Sequence, residues 1–346
     1  MGLFDDRTMT NGKTGVPVWF MRQAGRYHSH YQNIKKDSDF MTMCKTPSLA
    51  NDITHGPIDD FGFDAAILFS DLLFPLEQLG MGLSYKSGPP TLERRIHTLK
   101  DLDLIKATTP AKEFYKFQKD ACSLLRASLA PEKTLLGFVG APFTLYSYAA
   151  EGSHAGNLTS SKLGLYDGRF QGFLEKLLPE LVENMTQQVE GGADAMCLFD
   201  TAVGELHIRD YKKYIIPALK SVTKAFKAKH PDKKIIYYSK LTHINYLHAI
   251  EDENIDVLGV DWRMDLSMAL NELGKDYYVQ GNFDPSWLHL PWEHVETNLQ
   301  HMWQDLQDGN VPFEKWICGL GHGVLQHTPE DNVRNAVKYI HENFLY

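Results

Sequence analysis

AMCLFDT, residues 195–201, places five apolar side chains in succession and then closes on a carboxylate and a hydroxyl. A strand with one face in water alternates apolar and polar residues. A continuously apolar run bounded by polar residues reads instead as a strand covered on both faces, as in a parallel sheet flanked by helices. The same pattern recurs along the chain as PVWFM (17–21), AAILFS (65–70), TLLGFVG (134–140), IIYYS (235–239), DVLGV (256–260), YYVQG (277–281) and WICGL (316–320). Amphipathic helices lie between these runs. Phe114, Phe117, Ala121, Leu124 and Leu125 mark one face, behind Thr109 as N-cap and Pro110 at the first helical position. Leu174, Leu178, Leu181, Met185 and Val189 mark a second, and Val295, Leu299, Met302 and Leu306 a third. The last helix opens at Thr328-Pro329 and shows Val333, Val337, Ile340 and Phe344. Eight strands, each followed by a helix, predict an α/β fold, a (β/α)8 TIM barrel forming a single domain over residues 1–346. The first run leads into MRQAGRY, which lacks the G-x-G-x-x-G of a dinucleotide-binding sheet. Residues 84–103 read as an excursion from the second βα unit.

Lys and Arg number 35 against 44 Asp and Glu, a formal net charge of −9. That balance gives no support for a nucleic-acid partner or a basic membrane-facing surface. The four cysteines, Cys44, Cys122, Cys197 and Cys318, form no C-x-x-C, so reduced thiols are expected. MGLFDDRTMT at the N-terminus lacks the apolar stretch of a signal peptide, and no run reaches the roughly 18 apolar residues of a membrane span. A soluble cytoplasmic protein is expected.

A TIM barrel builds its chemistry at the C-terminal ends of its strands. The residues just past each run are Arg22, Gln23 and Arg26; Ser70 and Asp71; Gly140-Ala141-Pro142 with Tyr148 beyond; Asp200 and Thr201; Lys240 and His243; Asp261; Asn282 and Asp284; and His322. Arg22 and Arg26 are four apart, so a turn of helix there would put both guanidiniums on one side, facing an anionic ligand or forming surface ion pairs. Asp71 directly follows a buried run and can accept from N–H donors, act as a base or pair with an arginine. The glycines of GLGHG (319–323) would suit a phosphate loop, but the embedded His322 argues for a site that a side chain must also reach.

PVWFMRQAGRY (17–27), DAAILFSD (64–71) with LLFPLEQLGMGL (72–83), GFVGAPFTLYSYAAEG (137–152), LFDT (198–201), LGVDW (258–262), VQGNFDP (279–285) and GLGHGV (319–324) resemble, in order, the motifs of the uroporphyrinogen decarboxylases. The resemblance covers nearly the whole chain. It implies a TIM barrel, a homodimer, no metal or organic cofactor, and a cyclic tetrapyrrole substrate whose four acetates become methyls. Arg22, Gln23, Arg26, Asp71, Tyr148, Thr201 and His322 match the family's substrate-contacting positions, with Ile67, Phe138 and Phe199 as an apolar wall. Asp71, Arg22, Tyr148 and His322 are the catalytic candidates. The sequence departs from the family at His28-Ser29-His30, where Leu-Pro-Glu is usual, which bears on loop shape and dimer contacts.

Loss of CO2 from a pyrrole acetate needs an electron sink, which a protonated pyrrole supplies itself; the substrate thus does a cofactor's work. The protein must hold the anionic ring, stabilise a transient cation and deliver protons. Asp71 would stabilise the cation, and Arg22, Arg26 and His322 would bind carboxylates, with Tyr148 and Thr201 adding hydrogen bonds. Two alternatives share the barrel: a cobalamin-linked methyltransferase using zinc, and a non-catalytic tetrapyrrole carrier. The first needs a His-x-Cys pair, whereas the stretch after the fifth run reads Tyr238-Ser239-Lys240-Leu241-Thr242-His243. The second could dispense with Asp71.

Overall fold

The computed structural model describes residues 2–5, 12–85 and 88–346. Most of the N-terminal stretch read for a signal peptide therefore lies outside the described residues, as do positions 86–87 of the 84–103 excursion. The strands are β1 (Ala65–Ile67), β2 (Leu83–Ser84), β3 (Thr91–Leu92), β4 (Thr134–Gly140), β5 (Ala195–Asp200), β6 (Lys234–Ser239), β7 (Val257–Gly259), β8 (Tyr278–Phe283) and β9 (Trp316–Leu320). Seven of them form one sheet in the order β1-β4-β5-β6-β7-β8-β9, while β2 and β3 make a separate antiparallel pair inside the excursion. The fold is α/β, of the (β/α)8 barrel class.

By its internal contacts the chain divides into two compact units, one of residues 1–69, 123–136 and 256–346, the other of residues 70–122 and 137–255. In the first, β1 runs parallel to the start of β4 (Ala65 opposite Thr134, Ile67 opposite Leu136), and β7, β8 and β9 are parallel in turn. The PVWFM run is the predicted strand that forms no ladder of its own. It makes isolated parallel bridges, Val18 with Cys318 and Met21 with Gly323. Cys318 N donates to Pro17 O at 2.8 Å and Asp64 N to Val18 O at 3.0 Å, so this segment joins β9 on one side and the residue before β1 on the other. The buried Asp64 carboxylate accepts from Val18 N at 2.8 Å and lies 2.9 Å from His341 Nε2, which fixes the entry to β1.

In the second unit β5 and β6 are parallel over six residue pairs, from Ala195–Lys234 to Asp200–Ser239. All of β5 is buried and only the first residue of β6 is not, as continuously apolar strands require. The long helix Arg169–Glu190 packs Leu174, Leu177, Leu181, Met185 and Val189 inward. Thr109 is not the helix cap expected of it. Its carbonyl accepts from Gln78 Nε2 at 2.6 Å, and Pro110 takes the N-cap position of a short helix, Ala111–Phe114, that breaks at Tyr115 before Lys116–Ser128. Among the described residues no helix is long and apolar enough to cross a membrane.

Candidate active site

In the first unit Arg22, Gln23, Arg26, Ile67 and His322 follow or end their strands. The helical turn expected to carry Arg22 and Arg26 is absent. Residues 22–27 form bends and turns, Arg22 has a left-handed backbone with φ of 61°, and the helix begins only at Ser29. The cause is Gln23, which is buried and turned inward. Its Nε2 donates to Ala65 O at 2.7 Å, its Oε1 accepts from Ile67 N at 3.3 Å, and its carbonyl accepts from the Tyr27 hydroxyl at 2.7 Å. Gln23 thus ties the segment to β1 with both ends of its amide, and the two arginines flanking it are exposed.

The glycines of GLGHG serve close packing. A Cβ on Gly319 would lie 2.2 Å from Gln280 Nε2, one on Gly321 2.3 Å from Trp262 N, and one on Gly323 2.4 Å from Arg22 Cδ. Their backbones approach protein atoms, which leaves the phosphate-loop reading without support. The Met21–Gly323 bridge sets Arg22 and His322 on residues that flank one backbone pairing. A non-glycine in the left-handed region costs about 1–2 kcal/mol, and here Gly323 gives the displaced Arg22 side chain its room.

Several strand-end polar residues are structural. Asp261 is buried and its carboxylate accepts from Arg263 Nη1 at 2.9 Å. Asn282 donates to the carbonyls of Asp261 and Met264 at 3.0 and 2.7 Å, and Asp284 caps a 3-10 turn by accepting from Ser286 N at 2.8 Å. His28, of the His-Ser-His departure, is fully buried, with Nε2 2.7 Å from Asp60 Oδ2 and its ring 5.0 Å from Phe61; His30 fits because Gly56 lacks a side chain. His28 and His30 are thus packed on the helix Pro47–Phe61, while Ser29 N donates to Glu330 Oε1.

In the second unit Asp71 is nearly buried, and its carboxylate accepts from Leu73 N at 3.1 Å and from the Tyr85 hydroxyl. Burial pushes its pKa up to about 6, although the Tyr85 and Leu73 hydrogen bonds pull it down. Nothing in the sequence marks Tyr85, because it sits in the least patterned stretch of the chain. Phe138 and Phe199 meet as ring partners, centroids 5.6 Å apart. A chain of buried amides stands behind them. Gln188 donates to Phe138 O at 3.0 Å and accepts from Phe138 N at 2.8 Å, Gln188 donates to Asn184 at 2.7 Å, Asn184 to Gln118 at 2.8 Å, and Gln118 to Ser70 Oγ at 2.9 Å. The same relay therefore holds Phe138 and the residue before Asp71.

Thr144 Oγ1 donates to the buried Asp200 carboxylate at 2.8 Å and accepts from Ala202 N at 3.2 Å; the Tyr237 hydroxyl also donates to Asp200, at 3.0 Å. Burial raises Asp200, like Asp71, to about 6. These bonds fix the turn carrying Thr201, whose buried hydroxyl oxygen has no hydrogen-bond partner among the described residues. Such an atom is costly unless something accepts its proton or donates to it. Tyr148, on the helix Pro142–Glu151, is buried with its hydroxyl against His154 Nδ1.

Among the described residues no three His, Cys, Asp or Glu side chains gather in a metal-ligating group. Cys318 is buried, and burial pushes its pKa upward, away from the thiolate a metal needs.

Within this α/β barrel class of fold, one unit carries Arg22, Arg26 and His322 after its strand runs, and the other carries the buried Asp71 and Tyr148 and the Phe138–Phe199 ring pair. In overall structure the chain is similar to a methyltransferase from Methanosarcina mazei, with a TM-score of 0.71 over 95% of this chain and 94% of that one; at 14% identity this likeness concerns the fold alone. The uroporphyrinogen decarboxylase family model matches residues 10–343, and the chain belongs to that family. It is 36% identical over 330 residues to the uroporphyrinogen decarboxylase of Carboxydothermus hydrogenoformans, covering 94% of this chain and 92% of the relative. It is 34% identical to that of Geobacter metallireducens over 328 residues, and 35% identical to that of a Roseiflexus species over 333, each covering 94% of both chains.

Proposed function

We propose that this chain is a carboxy-lyase of tetrapyrrole biosynthesis, removing the four acetate carboxylates of uroporphyrinogen III to give coproporphyrinogen III. The observation that carries the reading beyond family membership is Asp71, a buried carboxylate four residues past the end of β1 with two hydrogen-bond donors already on it. When the pyrrole is protonated and CO2 departs, positive charge develops on the ring, and a fixed carboxylate in a water-poor place stabilises it without reorganising. Arg22, Arg26 and His322 supply positive charge or N–H donors to the peripheral carboxylates. Thr201 offers its unpartnered hydroxyl, Phe138, Phe199 and Ile67 offer apolar contact, and Gln23 positions the two arginines. The substrate is its own electron sink, so the reaction calls for neither metal nor organic cofactor. The same reading takes the chain as one catalytic domain, acting in the cytoplasm as a homodimer.

The test is turnover of reduced uroporphyrinogen III under anaerobic conditions, with carboxylates counted in the oxidised products by chromatography. Four-carboxylate product, formed equally well after exhaustive chelation, is the expected result. Substrate bound but unchanged would indicate a carrier, and a chelator-sensitive methyl transfer would indicate the methyltransferase.

A further inference from the structure

The helix Pro142–Glu151 ends at Gly152, which takes a left-handed conformation (φ 75°) while its N–H donates to Tyr148 O at 2.8 Å. A Cβ there would lie 2.6 Å from Arg95 Cζ, and Arg95 Nη1 donates to Glu151 O at 3.0 Å. Glu151 Oε1 accepts from Ser161 N at 2.9 Å, and Ser153 Oγ accepts from Ala155 N at 3.1 Å. The chain thus doubles back from the helix end along a tethered path. That path brings His154 edge-to-face onto the Tyr148 ring, centroids 5.1 Å apart, with Nδ1 at the hydroxyl. Tyr148 is buried, whereas His154 is half-exposed.

We propose that His154 and Tyr148 act as a proton relay, the histidine resupplying the proton that the tyrosine delivers to the substrate. The proposal rests on the reading of Tyr148 as a residue of the site, and it names the acid that reading lacks. Each decarboxylation breaks one C–C bond, releases CO2 and leaves its electron pair in the ring system. That pair returns to the exocyclic carbon and forms a C–H bond with the proton of the Tyr148 hydroxyl, and the proton that had made the pyrrole an electron sink leaves the ring for water, restoring the neutral pyrrole. Tyr148 Oη takes the proton from imidazolium Nδ1 in the same passage, and neutral His154 is reprotonated from water at its exposed edge. In net, one proton enters and one CO2 leaves, with nothing oxidised or reduced. Neither partner suffices alone. A tyrosine hydroxyl, ordinarily near pKa 10, would be left as an unfavourable buried phenolate, and an imidazole, ordinarily near 6.5, exchanges protons readily with neutral water. A guanidinium, with a pKa above about 12, is a far weaker acid than an imidazolium.

The experiment compares His154→Gln, His154→Ala and Tyr148→Phe with the unmodified enzyme on uroporphyrinogen, each variant first shown to keep its circular dichroism and melting temperature. His154→Gln keeps a hydrogen-bonding side chain and cannot carry the proton. It is expected to lower kcat on the order of 10²-fold, within the range for one general acid, while KM changes little. His154→Ala is expected to lose as much and to regain activity with added imidazole. Among substituted imidazoles the rescued rate should rise with acid strength, a dependence that a merely structural histidine would not produce. Wild-type kcat in His154→Gln overturns the relay, as does the absence of any rescue or a rescue indifferent to acid strength. If Tyr148→Phe lowers kcat while His154→Gln does not, only this inference falls. If Tyr148→Phe is itself fully active, the placing of Tyr148 in the site falls first.

Discussion

Asp71 stands between opposing influences. Burial favours its neutral acid, the Tyr85 and Leu73 donors favour its carboxylate, and the balance sets its pKa at about 6. If the ionised form stabilises the ring cation, kcat rises as pH rises through about 6 and falls away below it. The sign for stability is opposite. The folded pKa lies above the unfolded one, so between about 4 and 6 the folded state holds more proton, and this residue's contribution weakens as pH rises. Tyr85→Phe removes a bond that pulls the pKa down, so the rising limb of the kcat profile should move to higher pH. Asp71→Asn keeps the size and loses the charge, and its kcat should fall on the order of 10²–10³-fold, as when one electrostatic stabiliser is removed. A Tyr85→Phe profile superimposable on the wild type, or near-normal turnover in a folded Asn variant, would return Asp71 to a structural role. The position of Asp71 is legible because it directly follows the apolar run AAILFS (65–70), although β1 itself ends at Ile67. Its partner is not, since Tyr85 is 14 residues on, across a stretch with no periodicity to say where it returns.

At the level of elements, the strands were read well because burial on both faces leaves an unbroken apolar run, and WICGL (316–320) matches β9 residue for residue. PVWFM has the pattern of a strand and is one only in its pairing: bridges at Val18 and Met21 stand in for a ladder. The turn after it departs from the helical expectation because spacing alone cannot reveal that the Gln23 side chain will bond the backbone at Ala65 and Ile67 and so oppose a helix. The glycines of GLGHG show the same limit from the other side. Their role is steric, and only the structure shows what each would strike. Gly323→Ala would drive a methyl against Arg22 Cδ and Cγ, at 2.4 and 2.6 Å, forcing the arginine aside. That variant should reproduce the kinetic defect of Arg22→Ala while leaving the fold intact. The double variant Gly323→Ala/Arg22→Ala should be no worse than Arg22→Ala alone, because both changes act on one side chain. Additive losses in the double variant would show that Gly323 acts elsewhere.

For the whole molecule the problem is charge. A protein of net charge −9 must attract a substrate bearing eight carboxylates, so the local field has to oppose the global one. Arg22 and Arg26 are exposed where a ligand can reach them, and neither can shed its charge. Because they are exposed, their attraction is screened by salt, and KM should rise as ionic strength takes the screening length from about 10 Å toward about 3 Å. Removing one of them isolates its share. A charge-assisted hydrogen bond contributes roughly 1.5–3 kcal/mol, so Arg26→Ala should raise KM by roughly ten- to a hundredfold. If Arg26 only anchors carboxylates, kcat should hold, because the same bond is made in the ground and transition states. The salt dependence of KM should also become shallower in the variant, since one screened attraction is gone. An Arg26→Ala enzyme with unchanged KM, an unchanged salt slope and a collapsed kcat would show the arginine acting on the reacting atoms and not on the periphery of the ring.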